Sequence, residues 1–368
     1  MVKSLSFLRM QESRSCYLSS GFPSSRLRAE APQRAGTGMT AQVEKEEEQQ
    51  GFMSPQINHH LFIYHLDPKI YEEILSRRLP EIEIHSGDRP EDAAPYIEEA
   101  DIFLAWKIPD DLLKRAKRLV WFASTAAGNE DLVRNPHLPK TVIVTKTTIY
   151  GEMMAEYVFA YLLYSIRNGL KHLEDQKKKA WDRVRPERLR GKVLGVLGLG
   201  SVGREIARRG KQFGMGVVGV RRTPEALENE DIDQIFGPKD LIKMIPLVDY
   251  LVVALPFTPE THHLLGEKEL VLLKEGAILL NIGRGKTIDE EALIRVLKTG
   301  KIRAVLDVFE TEPLPPESDL WDLENVIITP HVSGINLPEE ICDAFVANYK
   351  RWLKGEPLVG LVDREKGY

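Results

Sequence analysis

The sequence predicts an α/β protein built on two open, doubly wound parallel sheets. Three observations carry that expectation. From residue 61 onward, short apolar runs alternate with helical patterns, an order that makes successive strands parallel with right-handed crossovers. The run at 193–197 passes straight into a glycine-punctuated turn and then a helix. The chain has 368 residues, 43% of them apolar, too many for one typical domain and enough for two sizeable cores.

Residues 1–41 carry eight serines, six basic residues and two acidic ones, and a polar run follows at 44–50. Such a segment buries too little apolar surface to order itself. Residues 1–55 are therefore expected to be a disordered tail or an upstream extension, with Met39 or Met53 as the true start. An Arg- and Ser-rich, acid-poor opening is also the composition of a transit peptide. Strands are then expected at 61–64, 102–105, 119–123 and 141–144, with a helix at 110–117. Residues 153–166 read as a buried helix. Fourteen residues containing Glu156 are too short and too polar to span a bilayer, and Glu156 reads as a satisfied structural acid.

The stretch 171–190 holds eight Lys/Arg and four Asp/Glu, which suits a solvated helix and loop better than a phosphate-binding patch. Further strands are expected at 193–197, 217–220, 250–255, 277–282, 303–308 and 326–329. Helices are expected at 202–213 and 289–298, with Gly214 and Gly300 where C-caps belong, and a closing helix at 338–353.

Charge and cysteine content narrow the function. Fifty Lys/Arg against 55 Asp/Glu leave a net charge of -5, so the overall balance gives no reason to expect nucleic acid as a partner. The two cysteines, Cys16 and Cys342, fit a reducing, cytoplasmic setting and exclude a disulfide framework. The pairs His59-His60 and His262-His263 invite a metal reading. Adjacent side chains are expected to diverge and neither pair has a companion cluster, so no metal is predicted.

The turn is Gly198-Leu199-Gly200-Ser201-Val202-Gly203, a G-x-G-x-x-G motif between strand and helix. In that context Gly198 permits the turn, Gly200 lets the backbone approach a pyrophosphate, and Gly203 lets helix and strand pack closely. Free N–H groups at the helix start face the anion. A bound dinucleotide is the prediction. Eighteen residues past Gly203, where an NAD enzyme normally carries Asp or Glu, stand Arg221-Arg222-Thr223. No carboxylate repels a 2′-phosphate there and two guanidinium groups can bind one, so NADP is the preferred cofactor, with NAD possible. Thr223 also reads as the N-cap of a helix beginning at Pro224.

In a parallel sheet the strand carboxyl ends share one edge, and ligands bind there. Arg284 follows the strand at 277–282, Glu310 and Glu312 follow 303–308, and His331 follows 326–329. This set suits hydride transfer to a ketone. Protonated His331 supplies a proton to the nascent alkoxide, a carboxylate on the other ring nitrogen orients it, and Arg284 holds a substrate carboxylate. Either Glu310 or Glu312 could be that carboxylate. The loop from Ser124 through Ala127 and Gly128 to Asp131 has small residues whose N–H groups can form an anion nest. Trp106 and Lys107 end a neighbouring strand and could shape the same pocket.

From about residue 61 onward the chain resembles the D-isomer-specific 2-hydroxyacid dehydrogenases, nearest their glyoxylate/hydroxypyruvate reductase-like branch. The resemblance rests on the glycine motif, Asn281-Ile282-Gly283-Arg284-Gly285, Leu306-Asp307-Val308-Phe309-Glu310-Thr311-Glu312-Pro313 and Thr329-Pro330-His331. It implies two Rossmann-like/flavodoxin-like domains. A cofactor domain at 152–336 is inserted into a substrate domain formed by 56–151 and 337–368. It implies a triad of Arg284, Glu312 and His331, with Asp307 near the nicotinamide carboxamide. Leu255, Pro256 and Thr261 match the nucleotide-side loop, Ile282 and Gly283 are further cofactor-binding candidates, and Ala127 and Gly128 match the carboxylate-binding loop. It also implies a homodimer making the D-2-hydroxy acid from a small 2-oxo acid. Asn129-Glu130 departs from the family, which usually has an apolar residue and Asp there. Dehydrogenases acting on phosphoglycerate, formate or phosphite, and a corepressor-like nucleotide-sensing scaffold, are the alternatives.

Overall fold

A computed structural model describes residues 59–223 and 231–365, within the unit Gln56–Tyr368. The extension at 1–55, with Cys16, Met39 and Met53, and the helix expected from Pro224 lie outside the described residues.

The first five strands are β1 (His60–Tyr64), β2 (Glu83–Gly87), β3 (Ile102–Ala105), β4 (Trp121–Ser124) and β5 (Ile143–Lys146). They form one parallel sheet in the order β2-β1-β3-β4-β5. The next seven are β6 (Val193–Leu197), β7 (Gly216–Val220), β8 (Gln234–Phe236), β9 (Tyr250–Val253), β10 (Ile278–Asn281), β11 (Arg303–Leu306) and β12 (Val326–Ile328). They form a second parallel sheet, β12-β11-β10-β9-β6-β7-β8. Among the described residues, helices of five residues or more are α1 (Pro68–Arg78), α2 (Asp110–Arg115), α3 (Glu130–Arg134), α4 (Gly151–Ile166), α5 (Gly169–Lys178), α6 (Ser201–Gln212), α7 (Glu290–Lys298) and α8 (Pro338–Leu353).

Both faces of each sheet are covered, which is why the strands read as continuous apolar runs rather than alternating ones. Successive residues of β10 divide between two cores, Leu279 with α7 on one side and Leu280 with α4 and α6 on the other. In the five-stranded sheet Ile63, Leu104 and Trp121 meet α1 and α8 through Tyr71, Leu75, Ile341 and Phe345. Phe62, Phe103 and Phe122 meet α2 on the opposite face. The chain therefore builds one sheet, crosses to build the second, and returns through α8 to the first.

Two strands escape sequence reading. β2 is a polar edge strand and β8 has only three residues, so neither makes an apolar run. Gly214 and Gly300 take φ of 72° and 75°, as the expected C-caps require. The helix at 153–166 starts two residues earlier, at Gly151, and buries one face only. Glu156 lies on its exposed face, so it is not a buried structural acid. In the charged stretch, Lys171 pairs with Asp175 at 2.9 Å and Asp182 at 3.2 Å at the surface of α5. No described helix is long and apolar enough to cross a membrane.

Candidate active site

The seven-stranded sheet reverses its strand order between β6 and β9, and the glycine turn leaves β6 at that switch point. Gly198 takes φ 97°, and a Cβ on Gly203 would sit 1.9 Å from the Gly198 carbonyl oxygen. A Cβ on Gly200 would meet nothing within 4 Å, so the turn is open on the side where the twelve-residue helix α6 begins. This is a cradle a dinucleotide pyrophosphate fits. Arg221, half-buried, follows β7 and donates its N–H to the Phe236 carbonyl at 3.0 Å. Arg222 and Thr223 are exposed. Ser201 and Val202 open α6. Leu255 and Pro256 start the loop after β9, where the Thr261 hydroxyl donates to the Pro256 carbonyl at 2.8 Å and accepts from the Thr258 N–H at 2.8 Å.

Register places the chemistry. Asn281 pairs with Leu306 and Leu306 with Ile328, so β10, β11 and β12 end in line and release their loops side by side. Asp307 is fully buried. One of its oxygens accepts from the Thr329 hydroxyl at 2.6 Å and the Val332 N–H at 2.8 Å, and the other from the Ser333 N–H at 2.9 Å. Its carbonyl takes the His331 N–H at 2.9 Å. This grip supports the left-handed φ of 54° at His331, a conformation non-glycine residues seldom adopt and one that clusters at functional sites. Tyr157 of α4 meets the Thr329 hydroxyl at 2.5 Å.

His331 Nδ1 lies 2.8 Å from Glu312 Oε2, and Glu312 Oε1 accepts the Phe309 N–H at 3.1 Å. Glu310 turns elsewhere, to His263 Nε2 at 2.8 Å and the Glu290 N–H at 3.1 Å. Of the two acids the local sequence leaves open, Glu312, the one the resemblance favours, is the one that meets the histidine. Burial opposes ionisation of Glu312, but the hydrogen bonds from His331 and Phe309 and the charges of His331 and Arg284 outweigh it. Its carboxyl is held below the usual range. A depressed folded-state pKa contributes stability above the unfolded value, lost as pH falls through the folded one. The Tm advantage of wild type over Glu312→Gln is therefore expected to shrink as acid is added. An advantage that stays constant or grows would contradict the pairing.

Arg284 follows β10. Its carbonyl accepts from Asn281 Nδ2 at 3.2 Å and the Thr287 hydroxyl at 2.6 Å, and Asn281 Oδ1 takes the Gly283 N–H at 3.1 Å. Ile282 is buried beneath it. The guanidinium donates to the Gly283 carbonyl at 2.9 Å and to Glu130 Oε2 at 3.3 Å. It lies against the β4 loop so closely that a Cβ on Gly128 would fall 1.5 Å from Nη2. Among the described residues nothing accepts a hydrogen bond from the N–H of Ala127 or Gly128. The edge thus gathers a guanidinium, two backbone donors and an imidazole–carboxylate pair, a set able to hold an anion and move one proton.

Trp106 and Lys107 are exposed beyond β3, with the ammonium 5.1 Å from the indole centroid. The expectation that adjacent histidines diverge fails for His262 and His263. Their rings stack at 4.0 Å because the backbone turns through a φ of 49° at His263. Sequence reading gave Glu130, Asn281, Thr329 and Tyr157 no role at the site, although Asn281 and Thr329 stand in the motifs that carry the resemblance and Glu130 stands out as a departure from the family pattern.

The family model described as "D-isomer specific 2-hydroxyacid dehydrogenase, NAD binding domain" matches residues 159–333. A D-3-phosphoglycerate dehydrogenase of Methanocaldococcus jannaschii is 33% identical over 310 residues, covering 80% of this chain and 57% of that protein. The chain thus spans little more than half of that relative. A glyoxylate/hydroxypyruvate reductase A of Serratia proteamaculans is 30% identical over 302 residues, covering 80% of this chain and 94% of that protein. Among solved structures, a D-isomer specific 2-hydroxyacid dehydrogenase from Xanthobacter autotrophicus, in complex with NADPH and MES, superposes with a TM-score of 0.78 at 32% identity. It covers 84% of this chain and 100% of that one. With fold, sequence and cradle in agreement, this chain belongs to the D-isomer specific 2-hydroxyacid dehydrogenase family and is an oxidoreductase.

Proposed function

We propose that this enzyme reduces a small 2-oxo acid of the glyoxylate/hydroxypyruvate type to the D-2-hydroxy acid, with NADPH preferred over NADH. The observation that carries the reading is the convergence of Arg284 and the His331–Glu312 pair on one edge beside the glycine turn. A nicotinamide bound along that edge would supply the hydride, which the carbonyl carbon of the substrate would accept. Gly198, Gly200, Ser201, Val202 and Gly203 hold the pyrophosphate. Leu255, Pro256 and Thr261 would lie along its nucleotide side, Ile282 and Gly283 would complete the cofactor site, and Asp307 would lie near the nicotinamide carboxamide. Arg284 and the N–H groups of Ala127 and Gly128 bind the substrate carboxylate and polarise the adjacent carbonyl. His331, with Nδ1 committed to Glu312, would hold a proton on Nε2 for delivery to the substrate's carbonyl oxygen. Glu312 stabilises the imidazolium before transfer. Trp106 borders the pocket. The two domains are taken as 152–336 and 56–151 with 337–368, and closure of the cleft excludes water.

The test is a spectrophotometric screen of 2-oxo acids with each nicotinamide. Turnover of glyoxylate or hydroxypyruvate is expected. Activity confined to D-3-phosphoglycerate, formate or phosphite would replace this reading, and no turnover at all would favour a nucleotide-sensing scaffold.

Cofactor choice rests on Arg221 and Arg222 standing where a ribose-binding acid would exclude the 2′-phosphate. Arg221→Asp is expected to lower the NADPH/NADH ratio of kcat/KM by about tenfold or more, the scale of one charge-assisted contact. An unchanged ratio would remove Arg221 from phosphate recognition. A homodimer is supported by apolar side chains left exposed on and after α5, Leu170, Leu173 and Trp181, the last 89% exposed. Sedimentation as a monomer would contradict it.

A further inference from the structure

Glu130 is an acid where water barely reaches. It opens α3 at 7% exposure, and burying an ionised carboxylate is costly unless it is paired and hydrogen-bonded. Its partners come from the other sheet. Oε1 accepts the Phe257 N–H, on the loop after β9, at 3.1 Å. Oε2 accepts from Arg284 Nη2, on the loop after β10, at 3.3 Å. The same oxygen lies 2.8 Å from where a Gly128 Cβ would be. One carboxylate thus joins the carboxylate-binding loop of the five-stranded sheet to two loops of the seven-stranded sheet.

The surroundings favour that pairing. Lys146 ends β5 in register with Ser124 of β4. Burial lowers its pKa, the Glu130 charge pulls it back up, and Arg284 adds to the lowering. Lys146 and Arg284 thus both bear on the corner where Glu130 pairs with the guanidinium. Arg284, with one nitrogen on its own Gly283 carbonyl and the other on Glu130, keeps further N–H groups for a ligand.

We propose that Glu130 is the positioning residue of the active site. It fixes the Arg284 guanidinium against the Gly128 backbone, so that arginine and loop present a single anion site to the substrate carboxylate. The proposal rests on the reading of Arg284 as the substrate's carboxylate partner. Glu130 is long enough to meet both Phe257 and Arg284, and a shortened side chain is expected to lose part of that grip.

The experiment compares wild type, Glu130→Gln, Glu130→Asp, Arg284→Ala and the Glu130→Gln/Arg284→Ala double variant. It reads steady-state kinetics with glyoxylate, the NADPH Kd by fluorescence, and Tm. Glu130→Gln is expected to raise the KM for glyoxylate by about 10- to 100-fold, the worth of one charge-assisted hydrogen bond, with a smaller fall in kcat and an unchanged NADPH Kd. Glu130→Asp is expected to fall between. In the Arg284→Ala background the Glu130→Gln change is expected to cost little more, because the group it positions is gone. A Glu130→Gln enzyme with wild-type KM beside a crippled Arg284→Ala enzyme would overturn this proposal alone. An equal Glu130→Gln effect in both backgrounds would do the same. An Arg284→Ala enzyme with wild-type kinetics would overturn the site reading and this proposal together. Should Glu130→Gln fail to fold, Glu130→Asp carries the comparison.

Discussion

Replacing His331 with Ala is expected to lower kcat for reduction of the 2-oxo acid by about 10²–10⁴-fold, the usual worth of a positioned general acid. The NADPH Kd and the Tm are expected to stay near wild type. The imidazole is 47% exposed, so its loss empties little core. Alanine keeps the Cβ, so the left-handed backbone at this position is no worse strained than before. What disappears is the proton on Nε2 and the partner of Glu312. Turnover within a few-fold of wild type would remove His331 from the mechanism, and the edge would need another acid.

Gly128→Ala is expected to be the second most damaging change, for a steric reason. The new methyl would lie 1.5 Å from Arg284 Nη2, 2.6 Å from its Cζ and 2.8 Å from Glu130 Oε2. These are ends of flexible side chains, not backbone, and Gly128 is not in a left-handed conformation, so the fold tolerates the methyl. The guanidinium must give way instead. Displacement of a binding group by about 1 Å costs on the order of 10²-fold, and kcat/KM for the 2-oxo acid is expected to fall by that much. The Tm is expected to move by a few degrees at most, as about 1 kcal/mol would move it. If Gly128→Ala keeps wild-type kcat/KM, the guanidinium does not work against this loop. If it unfolds the protein, the methyl has met more than side-chain ends.

Much of the fold was legible because it obeys local rules. Helix α8 and strands β3 and β6 have the bounds their apolar patterns indicate, and the glycine turn stands between strand and helix as its motif demands. β2 was invisible because an edge strand exposed on one side carries Glu83, His85 and Ser86 where a central strand carries aliphatic residues. Glu156 was misjudged because a helix buried on one face looks, in a short apolar run, like one buried all round.

The fold class, the dinucleotide cradle and the short list of reactive side chains could all be read from the chain's own pattern, since each depends on short stretches of residues. The resemblance favoured Glu312 over Glu310, but the tertiary structure paired Glu312 with His331, bound Glu130 to Arg284, and stacked His262 on His263. Glu310 and Glu312 are two residues apart on an irregular loop, where no 2.0 or 3.6 period says which way a carboxylate turns. Glu130 and Arg284 are 154 residues apart, and their meeting follows from strand register and from how the loops of two sheets face each other. Such long-range geometry is set when the cores pack, and no local pattern encodes it.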